Sequence, residues 1–406
     1  MSRVVAIVLA ACTITLAVPV TGASTECSTP LTDDCPSETA DVDAPAETEA
    51  EQAAVGPKVV VTEERWENQD RRLERQVVVA DGGRLVIEDS VIDIHFDQTC
   101  SVRINGEGCI GHISVQEDGE LVVRNSTFTS TNEPLFERGT IVAEGGKISI
   151  TDSKLTQFRG VKAQYEGELV FRSNTVTGML GGVSIIRGAS SSIVDNHFSN
   201  QSFAVGVQDS SPEIRNNTFE DISAIALRIQ QSIVGDKAFT TDPLVVDNVF
   251  VDVGQGIFTD SGAGFSIAHN RFEDARFHAI HIRVPTFDGH RTMLDQSPPV
   301  VTDNVFEDNH REVRIFTKER DRTAVTSTFE MTGNLIQGTI CNHIQAEDNP
   351  NATLVVEAND NWWDGGDGPR DPLPNDDDCE ALDGSATFEI DSILRAPPLD
   401  AGPRIE

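Results

Sequence analysis

From about residue 80 the chain alternates apolar and polar positions in runs of four to six residues, which is the period of a strand and not of a helix. The runs recur in one frame. The segment from Ala80 to Ser90 is echoed from Gln116 to Ser126, and the frame returns at Ala143 to Ser153 and Gln164 to Asn174. Gly83, Gly119, Gly146 and Gly167 hold the same slot, at the turn entering each strand. Further on, the second half of the unit becomes apolar-x-Asx-Asn-x-Phe, as in Ile193-Val-Asp-Asn-His-Phe198, Ile214-Arg-Asn-Asn-Thr-Phe219 and Val245-Val-Asp-Asn-Val-Phe250. The final apolar slot falls at positions 92, 128, 155, 176, 198, 219, 250, 272, 306, 336 and 363. Intervals never fall below 21 residues and often rise above it, as expected of a solenoid with one fixed coil and loops inserted on top.

Stacking explains the frame. Each coil's slot residue lies about 4.8 Å over the next, so that Phe and Ile build an apolar column. Asn174, Asn196, Asn217, Asn248, Asn270, Asn304, Asn334 and Asn361 form a second column. Asparagine tolerates left-handed turns, and its amide can bond the same amide one coil away. The sequence therefore predicts an all-β, single-stranded parallel β-helix of about 11 coils. The pattern over residues 80 to about 365 resembles the right-handed parallel β-helix of the pectate-lyase-like superfamily. The segment Asn361-Trp-Trp-Asp-Gly-Gly-Asp-Gly-Pro369 is similar to the closing motif of carbohydrate-binding and sugar-hydrolase β-helix proteins, with Asp364 in place of a glycine. The cap reading of Trp362 and Trp363, two rings covering the last open coil, is preferred over a sugar-stacking platform.

Charge narrows the partners. Against 31 Lys and Arg stand 66 Asp and Glu, a formal net charge of −35, which excludes nucleic acid as the main ligand. No apolar run long enough to span a membrane follows residue 23. Residues 1–23 read as a Sec signal peptide, with Leu9-Ala-Ala-Cys12 a rival lipid-attachment signal. Residues 24–57 hold nine acids and no Lys or Arg, and read as an acidic disordered linker. Residues 58–369 are then the β-helix and 370–406 a proline-rich C-terminal cap. An exported chain suits disulfides, and local neighbours give Cys27 with Cys35, Cys100 with Cys109, and Cys341 with Cys379, one of 15 connectivities. A secreted or cell-surface monomer is expected.

Candidate chemistry follows from the strands before the longest insertions. If Leu227, Ile229, Ile280, Ile282 and Ile315 point inward, alternation turns Arg228, Gln230, His281, Arg283 and Arg314 outward, and Phe258 and Asp260 join them from the intervening coil. Arginine forks suit the carboxylates or sulfates of an anionic glycan, while neutralisation of nearby surface acids is the competing account. The expected role is non-catalytic recognition of a polysaccharide or cell-surface partner. A lyase or glycoside hydrolase, with Arg283 as base beside His281 and Asp260, is the alternative, and a structural spacer the second alternative. The catalytic sets that the superfamily resemblance implies are incomplete here. No cofactor is expected. Asp360, Asp364, Asp367 and Asp371 compose an oxygen-rich loop that would suit Ca²⁺, against a plain solvated turn.

Overall fold

A computed structural model describes residues 57–94, 113–130, 139–231, 233–234, 237–238, 241–260, 265–284, 300–317, 325–338, 342–347, 352–363, 382–384 and 387–404. The chain divides after Ala54, and every described residue belongs to the unit that begins at Val55. The expected signal peptide, Cys12, the six paired cysteines, Asp364, Asp367 and Asp371 lie outside the described residues.

Among the described residues all regular structure is strand, and no helix is long and apolar enough to cross a membrane. Each turn of the solenoid contributes a strand to each of three parallel faces. The first full turn is Lys58–Val60, Glu63–Glu67 and Asp70–Leu73, and each strand pairs in parallel with its counterpart one turn later. The second face alone counts 13 strands, so the stack holds about two coils more than the repeat frame predicts. One extra coil lies at each end. In the first, Arg71 occupies the position that Ile92 fills one turn later, and its guanidinium lies over the Trp66 ring at 4.5 Å. An arginine in an apolar slot hides that coil from a hydrophobic pattern. Beyond residue 369, Leu382–Gly384 and Thr387–Glu389 add to the ladders of the preceding coil, so the stack runs on into the C-terminal segment.

The interior follows from the sequence frame. Phe198, Phe219, Phe250, Phe272 and Phe306 are fully buried, with successive rings 4.7–5.2 Å apart and nearly parallel. Burying each contributes about 2–3 kcal/mol. The corner between the second and third faces is a two-residue turn in most coils, as at Asp195-Asn196 and Asp247-Asn248. Its first residue sits near φ +55° and its second is the ladder asparagine. The amides of Asn174 through Asn361 form an unbroken chain, each donating through Nδ2 to the next Oδ1 at 2.9–3.1 Å. Toward the N-terminus Ser153, Ser126 and Ser90 continue the column with hydroxyls.

After the last coil the chain turns back along this corner as a strap. Leu394 N–H donates to Asn361 O (3.0 Å), Gly402 N–H to Asp303 O (2.7 Å), and His269 Nδ1 lies 3.1 Å from the Asp400 carbonyl. At the end of the strap Arg404 grips Asp247 through Nε at 2.9 Å, a terminal nitrogen at 2.7 Å and its backbone N–H at 3.1 Å. Burial alone would raise the Asp247 carboxyl, but the bonds from Arg404 outweigh it and hold the group below its ordinary value. Arg404→Ala is expected to cost roughly 1–2 kcal/mol, because it strips two charge-assisted bonds from a buried carboxylate. Thermal denaturation of that variant against Arg172→Ala, an exposed pair on the second face, measures it.

Candidate functional site

The first face carries the site. The longer connections between its strands and those of the other faces adjoin it: 95–112, 130–139 and 364–381 precede one of its strands, 285–299 and 318–324 follow one, and 231–243, which holds the small antiparallel pair Ile233–Val234 and Lys237–Ala238, follows another. The opposite corner, tied by the asparagine ladder, admits no comparable insertion among the described residues.

Strand pairing arranges the outward residues in columns along the stack. The middle column runs Ser184, Gly206, Arg228, Phe258, His281 and Arg314. Beside it run Gln208, Gln230, Asp260 and Arg283. Leu227, Ile229, Ile280, Ile282 and Ile315 are fully buried on the inner side. All seven residues singled out from the sequence are thus brought to one patch on four successive coils.

Sequence alternation alone does not find a third column. Gln255 pairs with His278, and the next registered pair is Ile257 with Ile280. At each of these strands two consecutive residues, Gly256-Ile257 and Ala279-Ile280, turn inward: a Cβ on Gly256 would meet the Phe272 ring, and Ala279 is fully buried. This irregularity breaks the two-residue period and returns Gln255 and His278 to the outer side. Gln255 Nε2 reaches to 3.5 Å from His281 Nδ1, and the His278 and His281 rings lie 4.8 Å apart.

Phe258 is the hub. Arg228 from the coil before and Arg283 from the coil after place their guanidinium carbons 5.7 and 5.8 Å from its centroid, and His281 meets it edge-on at 5.1 Å. Arg283 is held in a fork by Asp260, with Nε 2.8 Å from Oδ1 and a second contact to Oδ2. Burial pushes the Arg228 guanidinium below its ordinary value; Asp260 opposes the shift and Arg283 adds to it. Burial likewise drives His281 down to about 4, helped by Arg314 and Arg283. His278 falls to about 2, through burial first and then the field of His281, Arg314, Arg311 and His310. Both histidines are neutral at pH 7.

The patch is incompletely satisfied. Among the described residues, buried Arg228 Nε, Gln255 Oε1 and both ring nitrogens of His278 have no hydrogen-bond partner, although His278 is only 5% exposed. Buried polar atoms without partners are uncommon, and these four lie on three successive coils of the first face. Asp360, by contrast, occupies the ordinary left-handed turn position before Asn361, at φ +53°. No group of three His, Cys, Asp or Glu able to hold a metal occurs among the described residues.

Comparison with known proteins bears on the fold. The family model described as right-handed beta helix region matches residues 94–229 and 138–284, a span that takes in the Arg228, Phe258 and Arg283 strands. No curated protein matches the sequence. Among solved structures, tailspike protein 3 of bacteriophage CBA120 is similar at a TM-score of 0.42 and 11% identity, over 83% of this chain and 54% of that one, about half its length. Three parallel ladders wound by one strand per face per turn, together with the family match, identify the architecture: the chain is a right-handed parallel β-helix repeat protein.

Proposed function

We propose that the first face binds a linear anionic polysaccharide of an extracellular surface, without chemical conversion. The observation that carries this reading is the bracketed Phe258 ring, with two guanidinium groups and an imidazole around it and partnerless buried polar atoms beside it. A sugar ring presents apolar C–H faces to an aromatic side chain and hydroxyls to its rim, and a uronate or sulfate adds the charge that a guanidinium recognises. Concentrating cations on one face of a chain of net charge −35 also steers such a ligand to this place.

Catalysis by Arg283 is not favoured. A lyase base must turn a nitrogen toward the substrate, whereas Nε and a terminal nitrogen of Arg283 are both engaged by the Asp260 carboxylate. An array of acidic polysaccharides (polygalacturonate, alginate, dextran sulfate) beside neutral dextran and cellulose tests the reading. Retention on the acidic members, lost in Phe258→Ala, is expected; equal or absent retention on both classes would refute it. Release of unsaturated products or new reducing ends from the same polymers would move the assignment to an enzyme.

A further inference from the structure

Gly206 has no structural reason to be glycine. It lies in the interior of the strand His197–Gln208, where a residue without a side chain weakens a sheet. Two demands of the backbone ordinarily explain such a glycine, a left-handed conformation or a close approach of neighbouring atoms. Neither applies. Its φ is not in the left-handed region, and the nearest atom to a Cβ built on it is Ser184 Oγ at 3.8 Å, an ordinary contact distance. The other described glycines from Gly82 to Gly338, and Gly402, contrast with it: each either has a positive φ or would bring a Cβ within 3.1 Å of another atom, as Gly146 does at 2.3 Å and Gly254 at 2.5 Å from backbone oxygens.

What the glycine does provide is a bare square of sheet one coil before Arg228 in the middle column. Ser184 lies next to it on the preceding coil, and the partly exposed Phe203 and the Gln208 amide belong to the same strand on either side of it. A partly exposed aromatic residue, a position without a side chain and an amide on one strand repeat the residue types around Phe258 without its charge. We infer that Gly206 is the floor of a second subsite, which seats an uncharged face of the sugar unit adjoining the one whose acid group meets Arg228. The ligand is then a polymer crossing at least the coils of Ser184, Gly206, Arg228 and Phe258, and a single acidic sugar cannot fill the site. This inference rests on the polysaccharide reading above.

Gly206→Val tests it, since a β-branched outward residue suits a strand and its Cβ meets no atom closer than ordinary contact. Gly206→Ala is the milder companion should the larger side chain perturb folding. Both should keep the wild-type circular dichroism and melt at or above the wild-type temperature. A galacturonate oligomer of about ten units, titrated calorimetrically, should bind Gly206→Val at least tenfold more weakly and Gly206→Ala by an intermediate factor. Binding of the galacturonate monomer, which needs only the Arg228 and Phe258 positions, should be unchanged in both. If wild type binds the oligomer and Gly206→Val binds it as tightly, the second subsite is wrong and the polysaccharide reading stands. If wild type binds neither the oligomer nor dextran sulfate, both fall.

Discussion

Replacing Asn248 by alanine is expected to destabilise the protein by roughly 3–5 kcal/mol, because one fully buried side chain makes five polar contacts, with its two Nδ2 hydrogens shared among three acceptors. Its Oδ1 accepts from the backbone N–H and Nδ2 of Asn217, both at 3.0 Å. Its Nδ2 donates to the carbonyls of Ile214 and Val246, at 2.9 Å each, and to Asn270 Oδ1 at 3.0 Å. Alanine leaves a buried N–H and several buried acceptors without partners at the centre of the ladder, and water has no route to a column at 0% exposure. Urea denaturation reports the loss as a lower midpoint. The analogous change at the end of the column, Ser90→Ala, removes a hydroxyl with fewer bonds and should cost about 1 kcal/mol. Equal, small effects at both positions would show that the ladder is incidental.

The second large effect is on acid stability. His281 and His278 titrate near 4 and 2 in the folded chain, against about 6.5 when unfolded. Above pH 6.5 they are neutral in both states and contribute nothing. As pH falls below 6.5 the unfolded chain takes up protons that the folded chain refuses, so stability is lost by about 1.4 kcal/mol per pH unit for each histidine. The loss ends near pH 4 for His281 and near pH 2 for His278. Between pH 6.5 and 5 the pair should cost about 3 kcal/mol, and the His278→Asn/His281→Asn double variant should lose correspondingly less over that range. A bound polyanion offers these rings an opposite charge, so polygalacturonate should reduce the acid loss in wild type and not in the double variant. Matching pH profiles for the two proteins would contradict the burial and charge environment assigned to the pair.

These residues also show what a sequence of this kind discloses and what it conceals. The Phe and Asn columns are legible because each coil repeats one frame and stacking places like on like. Outward placement of Arg228, Gln230, His281, Arg283 and Arg314 follows from strict alternation within their strands. His278 and Gln255 escape the same logic, because two consecutive residues turn inward at Gly256-Ile257 and Ala279-Ile280 and a parity count then assigns the wrong side. Arg71 conceals the first coil by standing where the frame calls for an apolar side chain. The strap is invisible for another reason: Asp247 and Arg404 are 157 residues apart, and no local pattern links a turn aspartate to a tail arginine.

The central claim is that the Phe258 grid recognises an acidic polymer, and it is tested most directly by calorimetric titration with polygalacturonate at about 50 mM salt, where screening is modest. Wild type should bind. Arg228→Ala and Phe258→Ala should each weaken binding at least tenfold with little change in melting temperature, and Arg172→Ala, an arginine paired with Asp195 on the second face, should bind as wild type does. Equal affinity in all four proteins would contradict the account, because attraction would then be a property of the whole surface and not of this site.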